Sequence, residues 1–267
     1  MSGARPGGGA RRAPEFGRHD VLIAVAERGR GPAPRRFLTA ADLAEADGLP
    51  PLRSQEFQDG RALLRWALRR SLGRTAGASR IARSLRGKPL LTGAPAVGIS
   101  VAHSRRLLVV AVAPGRAVGV DVEPPACPTP GLVLRSCLPA DRERVAALRP
   151  EARARAFGAI WTVQEACLKA TGDGVRWAPG RVPVPVFQRY GRWAGHLWRS
   201  LPRTAGEAAA VAVSCADAPP RSIRVLSVPR TARGDRAFPF RPTGPRYAPD
   251  FRPTGPRHAH DTTARTR

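Results

Sequence analysis

The chain has 267 residues, 42% of them hydrophobic, and a formal net charge of +25; that length and apolar share allow one large domain or two small lobes with a real core. Lysine and arginine together number 45, yet only Lys88 and Lys169 are lysine, so the charge reflects a general preference for arginine. With 6% aromatic residues and neither helix-turn-helix spacing nor RNP-like aromatics, it argues for an acidic protein partner or an anionic small molecule and against nucleic acid.

In chain order, residues 1–14 are rich in Gly, Arg and Pro and read as flexible. A short buried strand is expected over 21–26, loop over 28–36 and a short helix starting in 42–46. Apolar residues at Phe57, Leu63, Leu64, Ala67, Leu68 and Leu72 predict a helix over 55–72, with Gly73 as its stop. Strands follow at 97–102, at 107–113, which is apolar throughout and therefore buried on both faces, and at 117–123, ended by Pro124 and Pro125. The run 107–113 is also the longest aliphatic stretch and far too short to span a bilayer. The pattern is helical from 139 to 170, best defined over 151–170, with Gly172 and Gly174 closing it. Strands are expected again at 182–187, 193–198 and 208–215. Beyond Pro219 the pattern is lost; Phe-Arg-Pro-Thr-Gly-Pro-Arg occurs at 240–246 and 251–257, and two copies are too few for a repeat architecture. The four cysteines show no zinc or redox spacing, and no signal-peptide pattern is seen; both suit a cytoplasmic protein.

Two motifs carry chemistry. In Asp121-Val122-Glu123, strand alternation puts both carboxylates on one face with Gly119, while Val118, Val120 and Val122 face the other way. Such a pair fits either a cation held between the carboxylates or a solvated strand end. In the helix, Trp161, Glu165 and Lys169 lie on one stripe. Glu165 and Lys169 could form a surface ion pair, but a chain with two lysines among 45 basic residues has little reason to place one there. Lysine offers a compact point charge where arginine offers a planar fork. The other lysine, Lys88, precedes the strand that ends at His103, which is either a structural histidine or a phosphate contact.

Gly87-Lys88-Pro89, a strand into His103-Ser104, Gly119-x-Asp121-x-Glu123, and Trp161-x-x-x-Glu165-x-x-x-Lys169-x-x-Gly172-x-Gly174 together resemble the Sfp-type 4′-phosphopantetheinyl transferases. The motifs cover residues 86–174, with weaker similarity over 35–216. The resemblance implies an α+β fold of two similar α/β lobes in pseudo-two-fold relation. Each would be a small antiparallel sheet with a packed long helix, and the active site would lie in the cleft between them. The lobes would be 15–116 and 117–218, followed by a disordered basic Pro/Arg-rich tail over 219–267. The implied reaction moves the 4′-phosphopantetheine arm of coenzyme A to a serine of an acidic apo acyl or peptidyl carrier protein, with Mg²⁺, releasing adenosine 3′,5′-bisphosphate. Asp121, Glu123 and Glu165 would hold the Mg²⁺. Glu165 is also the candidate general base, with Lys169 and Asp121 completing the catalytic set. Lys169 and His103 would contact the coenzyme A phosphates. Arg86, Gly87 and Lys88 would lie at the adenosine 3′-phosphate end, with Arg53 contributing from the preceding helix. Ser100 and Ala102, on the strand that leads to His103, would also bind coenzyme A, as would Asp121 and Glu165. Two positions depart from the common pattern: Ala102 stands where a serine usually precedes the histidine, so a phosphate contact there must use backbone N–H, and Gln164 stands where lysine often precedes the glutamate. The length suggests a monomer acting on polyketide or nonribosomal-peptide carriers. The alternatives are a non-catalytic coenzyme A or carrier-binding homologue, a small acyltransferase, which leaves the three carboxylates unexplained, and a basic nucleic-acid-binding protein.

Overall fold

The computed structural model describes residues 20–28, 35–172, 179–201, 207–214, 220 and 222–228; the expectations for 1–14, Gly174, Cys215 and the 240–257 repeat fall outside them. The strands are β1 (Asp20–Glu27), β2 (Ile81–Arg83), β3 (Pro89–Leu91), β4 (Val97–His103), β5 (Leu107–Pro114), β6 (Val118–Glu123), β7 (Tyr190–Trp193), β8 (His196–Ser200), β9 (Ala208–Ser214) and β10 (Ser222–Val228). The helices are α1 (Ala40–Asp47), α2 (Pro51–Leu72), α3 (Arg74–Ala78), α4 (Pro130–Ser136), α5 (Arg142–Ala146) and α6 (Pro150–Thr171). No helix among them is long and apolar enough to cross a membrane.

There are two four-stranded sheets, ordered β10-β1-β5-β4 and β6-β9-β8-β7, and a separate β2-β3 hairpin. Alternation along the strands builds three cores. Val21, Ile23, Val109, Ala111, Val120 and Val211 belong to one cluster that lies between the two sheets. The opposite face of β1 and β5, through Leu22, Ala24, Val110 and Val112, packs on Leu64 and Leu68 of α2. Ala210 and Ala212 of β9 pack on Ile160, Val163 and Cys167 of α6. The layers therefore run α2, first sheet, second sheet, α6. Every residue of β5 is buried, as its unbroken apolar run requires.

Local chemistry fixes the helix positions. Thr39 caps α1 in a reciprocal capping box with Asp42. Asp42 also takes a buried ion pair from Arg65 of α2, whose guanidinium reaches Gly77 O and Ser79 O, each at 2.9 Å. Burial alone would raise Asp42, but the hydrogen bonds from Arg65 and Thr39 outweigh it and leave its carboxyl below the ordinary value. Both α2 and α6 begin with proline in the first turn, where its missing N–H costs nothing.

The structure corrects four expectations. The helical pattern over 139–170 is interrupted: a short 3-10 turn at Pro139–Asp141 leads into α5, and α6 starts afresh at Pro150, because proline can begin a helix but not continue one. Residues 182–187 are not a strand. Val182, Val184 and Val186 are buried alternately, yet Pro183 and Pro185 between them cannot donate to a ladder, and Val186 N–H goes to Asp141 Oδ2 at 2.8 Å. The tail expected from 219 onward contains β10, which pairs in parallel with β1 from Asp20↔Ser222 to Ala26↔Val228. The first sheet is consequently mixed, not purely antiparallel.

Candidate active site

The second sheet meets α6 unusually closely at Gly119. A Cβ there would sit 2.0 Å from Ala166 O and 2.4 Å from Ala170 N, so only glycine lets the strand touch the helix. Two residues on, and on the same face, Asp121 is carried against the last turns of α6. Lys169 Nζ donates to Asp121 Oδ1 at 2.6 Å. Asp121 is 4% exposed, and its Oδ2 is buried without a hydrogen-bond partner among the described residues. Burial raises the Asp121 carboxyl despite the Lys169 charge and hydrogen bond that oppose it.

Glu123 and Glu165 complete the acidic side. Burial, then the charge of Asp121, push Glu123 up to about 7, with Glu165 and Glu207 adding repulsion and Lys169 opposing it. Glu165, one turn before Lys169, is raised by burial and then by Asp121. The three carboxylates thus sense one another across β6 and α6, as the shared strand face and helix stripe predict. Trp161, one turn further back, stacks on Phe157 with ring centroids 5.9 Å apart and packs against the α6 core.

A basic side faces this acidic one. His103, at the end of β4, is lowered by partial loss of its water and then by Arg28, with Lys169 and Arg53 adding to the effect and Glu56 opposing it. Glu56 accepts from Arg28 at 2.7 Å and from Arg53 at 3.0 Å; these two contacts, in that order, hold its carboxyl below the ordinary value. Arg28 also donates to Ser104 O. Ser104 shapes the β4–β5 turn by accepting from the Arg106 and Leu107 amides at 3.1 and 2.9 Å.

The remaining sequence-predicted residues are placed differently. Ser100 points away from the site: its Oγ accepts from Val120 N–H at 3.1 Å and ties β4 to β6. The Ala102 side chain is buried in the core between the sheets, leaving only its backbone for any contact. Arg86 and Gly87 form the tip of the β2-β3 hairpin, where Gly87 takes a positive φ of 84° and its N–H closes the turn on Ser84 O at 2.9 Å. Lys88 leaves that tip and donates to Ala170 O of α6 at 2.6 Å. Gln164 is fully buried and donates to Ser136 O and Val182 O at 2.8 and 3.1 Å, a packing role within the second half.

Three site residues were not anticipated. Arg28 and Glu56 carry no signal that separates them from other charged residues of an arginine-rich chain. Glu207 precedes β9; it is 2% exposed, and neither carboxylate oxygen has a hydrogen-bond partner among the described residues. Only the register, in which its neighbour Ala208 pairs with Glu123, brings it near the site.

The donor set suits a hard dication: carboxylate oxygens only, mutual repulsion, and an orphaned buried Oδ2 on Asp121. As they stand, however, no group of three or more His, Cys, Asp or Glu among the described residues is arranged to hold a metal ion. The cation on Asp121 in this structure is the Lys169 ammonium.

Residues 117–213, from the start of β6 through nearly all of β9, match the family model of the 4′-phosphopantetheinyl transferase superfamily. The stretch contains Asp121, Glu123, Glu165, Lys169 and Glu207. A curated relative, the 4′-phosphopantetheinyl transferase HetI of Nostoc sp., is 34% identical over 144 residues. The match covers 52% of this chain and 61% of that protein.

Proposed function

We propose that this chain, whose residues 117–213 match the family model of the 4′-phosphopantetheinyl transferase superfamily, belongs to that superfamily and transfers the 4′-phosphopantetheine arm of coenzyme A to a serine of an apo acyl or peptidyl carrier protein. One juxtaposition supports this above all: a buried carboxylate shared with Lys169 on one side, and His103 among Arg28, Arg53 and Lys169 on the other. A diphosphate needs both, a hard cation on acidic ligands and basic groups for its remaining oxygens.

In this reading the serine oxygen forms a bond to the β-phosphorus of coenzyme A while the bond from that phosphorus to the bridging oxygen breaks. The leaving adenosine 3′,5′-bisphosphate keeps the electron pair. Asp121, Glu123 and Glu165 would hold a Mg²⁺ ion, which would supply charge neutralisation and orientation of the diphosphate. Lys169 stabilises the charge developing on the transferred phosphoryl oxygens. Glu165 takes the serine proton, directly or through a water; burial and then the charge of Asp121 raise its carboxyl, the direction that makes it a stronger base. Arg28, Arg53 and His103 bind the phosphates. Arg86 and Gly87 lie toward the adenosine end. The formal charge of +25 suits an acidic carrier by steering, and polyketide and nonribosomal-peptide carriers are the substrates we favour. We also read the two helix-on-sheet halves, 15–116 and 117–218, as similar lobes in pseudo-two-fold relation, acting as a cytoplasmic monomer.

The test is mass spectrometry of a panel of apo carriers incubated with the protein, coenzyme A and Mg²⁺. The expected result is a mass gain of one phosphopantetheine arm on the serine, lost in EDTA. No gain on any carrier overturns the proposal.

A further inference from the structure

Lys88 was expected at a phosphate, yet its ammonium meets a helix end. It leaves the β2-β3 hairpin, and Nζ donates to Ala170 O at 2.6 Å, 82 residues away in the chain. The last four carbonyls of a helix lack intrahelical donors and carry the negative end of its dipole. In α6 the Gly172 N–H and the Thr171 hydroxyl both turn back to Leu168 O, at 3.2 and 3.1 Å, and Lys88 supplies a side-chain donor to Ala170 O. The fit extends to the stem: Gly172 closes the helix at a φ of 79°, and a Cβ there would lie 3.2 Å from Lys88 Cδ. A slender aliphatic chain ending in a point charge fills this place; a planar guanidinium is wider and needs several acceptors. Ala170 adjoins Lys169, whose ammonium holds Asp121 at 2.6 Å. The two lysines among 45 basic residues therefore make contacts that begin one residue apart on the same helix turn.

We infer that Lys88 is a positioning residue: it pins the last turn of α6 to the β2-β3 hairpin and so holds Lys169 and Glu165 in register with Asp121. This rests on the proposed transfer reaction for its kinetic test, but not for its structural one. Burial holds the Lys88 ammonium down to about 8, consistent with a group packed into protein and not one waiting in solvent for a phosphate.

Two measurements on the full chain, wild type and Lys88→Met, decide it. Amide hydrogen exchange should speed up over Lys169–Gly172 in the variant; unchanged exchange there overturns the inference whether or not the protein is active. In the carrier assay, kcat should fall by about tenfold to a hundredfold, the scale of losing alignment between reacting groups. The preference for coenzyme A over 3′-dephospho-coenzyme A should stay as in wild type. Unchanged kcat with a raised KM for coenzyme A and a lost preference for the 3′-phosphate makes Lys88 a phosphate contact and overturns the positioning role. Should Lys88→Met fail to fold, Lys88→Arg is read by the same two measurements and should restore neither the slow exchange nor the full kcat. Absence of transfer by the wild type counts against the transferase reading alone, and exchange then decides the role of Lys88.

Discussion

Asp121 answers to opposed demands. Burial disfavours its charge, Lys169 favours it, and Oδ2 has no hydrogen-bond partner among the described residues. Asp121→Asn keeps the shape and removes the charge. We expect transfer to fall by at least about a hundredfold, the usual scale for losing a key electrostatic group; steady-state kinetics check it. Glu123 gives a pH test. Its folded-state value of about 7 lies above the ordinary 4.5, so between these values the folded protein holds a proton that the unfolded chain has lost. Its contribution is therefore present below about 4.5 and lost as pH rises through about 7. His103, which is lowered, works in the opposite sense, while Asp121 and Glu165 reinforce Glu123. In EDTA, Tm should decline across this window, and Glu123→Gln should flatten the decline; an identical slope in the variant removes Glu123 as its source. At this scale the carboxylates, Lys169 and His103 were legible because strand and helix periodicity assign faces without a fold. Arg28, Glu56 and Glu207 were not, because their proximity comes from strand ends and register.

At the scale of elements, Gly119 is the decisive contact between β6 and α6. Gly119→Ala forces a methyl against Ala166 O and the Ala170 amide, which the backbone of a packed helix cannot yield to cheaply. Urea unfolding should show a loss of about 2–3 kcal/mol, accompanied by a fall in transfer as α6 moves from Asp121. Long apolar runs and the α2 face announced their elements. Val182–Val186 mimicked a strand, since alternating burial records an extended chain whether or not its amides are paired, and Pro183 with Pro185 leaves too few donors. β2 and β3 are three residues each, below any periodicity that a sequence can display.

For the whole molecule, β10 returns the chain to the first sheet from beyond the second. Ile223 is 6% exposed in the core between the sheets, and β1 depends on β10 for hydrogen bonds along one edge. A chain ending at residue 219 should unfold at lower urea than one ending at 228; equal midpoints would mean that β10 adds nothing to stability. The alternation of Ile223 and Val225 with Ser222 and Arg224 hinted at this strand, but in a Pro- and Arg-rich setting it read as tail. The sequence by itself determined the acidic pair on one strand face, the Glu165–Lys169 stripe, the point-charge character of both lysines, and the family resemblance, since each depends on spacing within one segment. Only the tertiary structure decided that Lys88 donates to Ala170 O at the end of α6, that Ser100 ties two sheets, and that Arg28, Glu56 and Glu207 lie near the site. Those outcomes depend on which segments meet, and that is set by burying three cores at once, not by any local pattern.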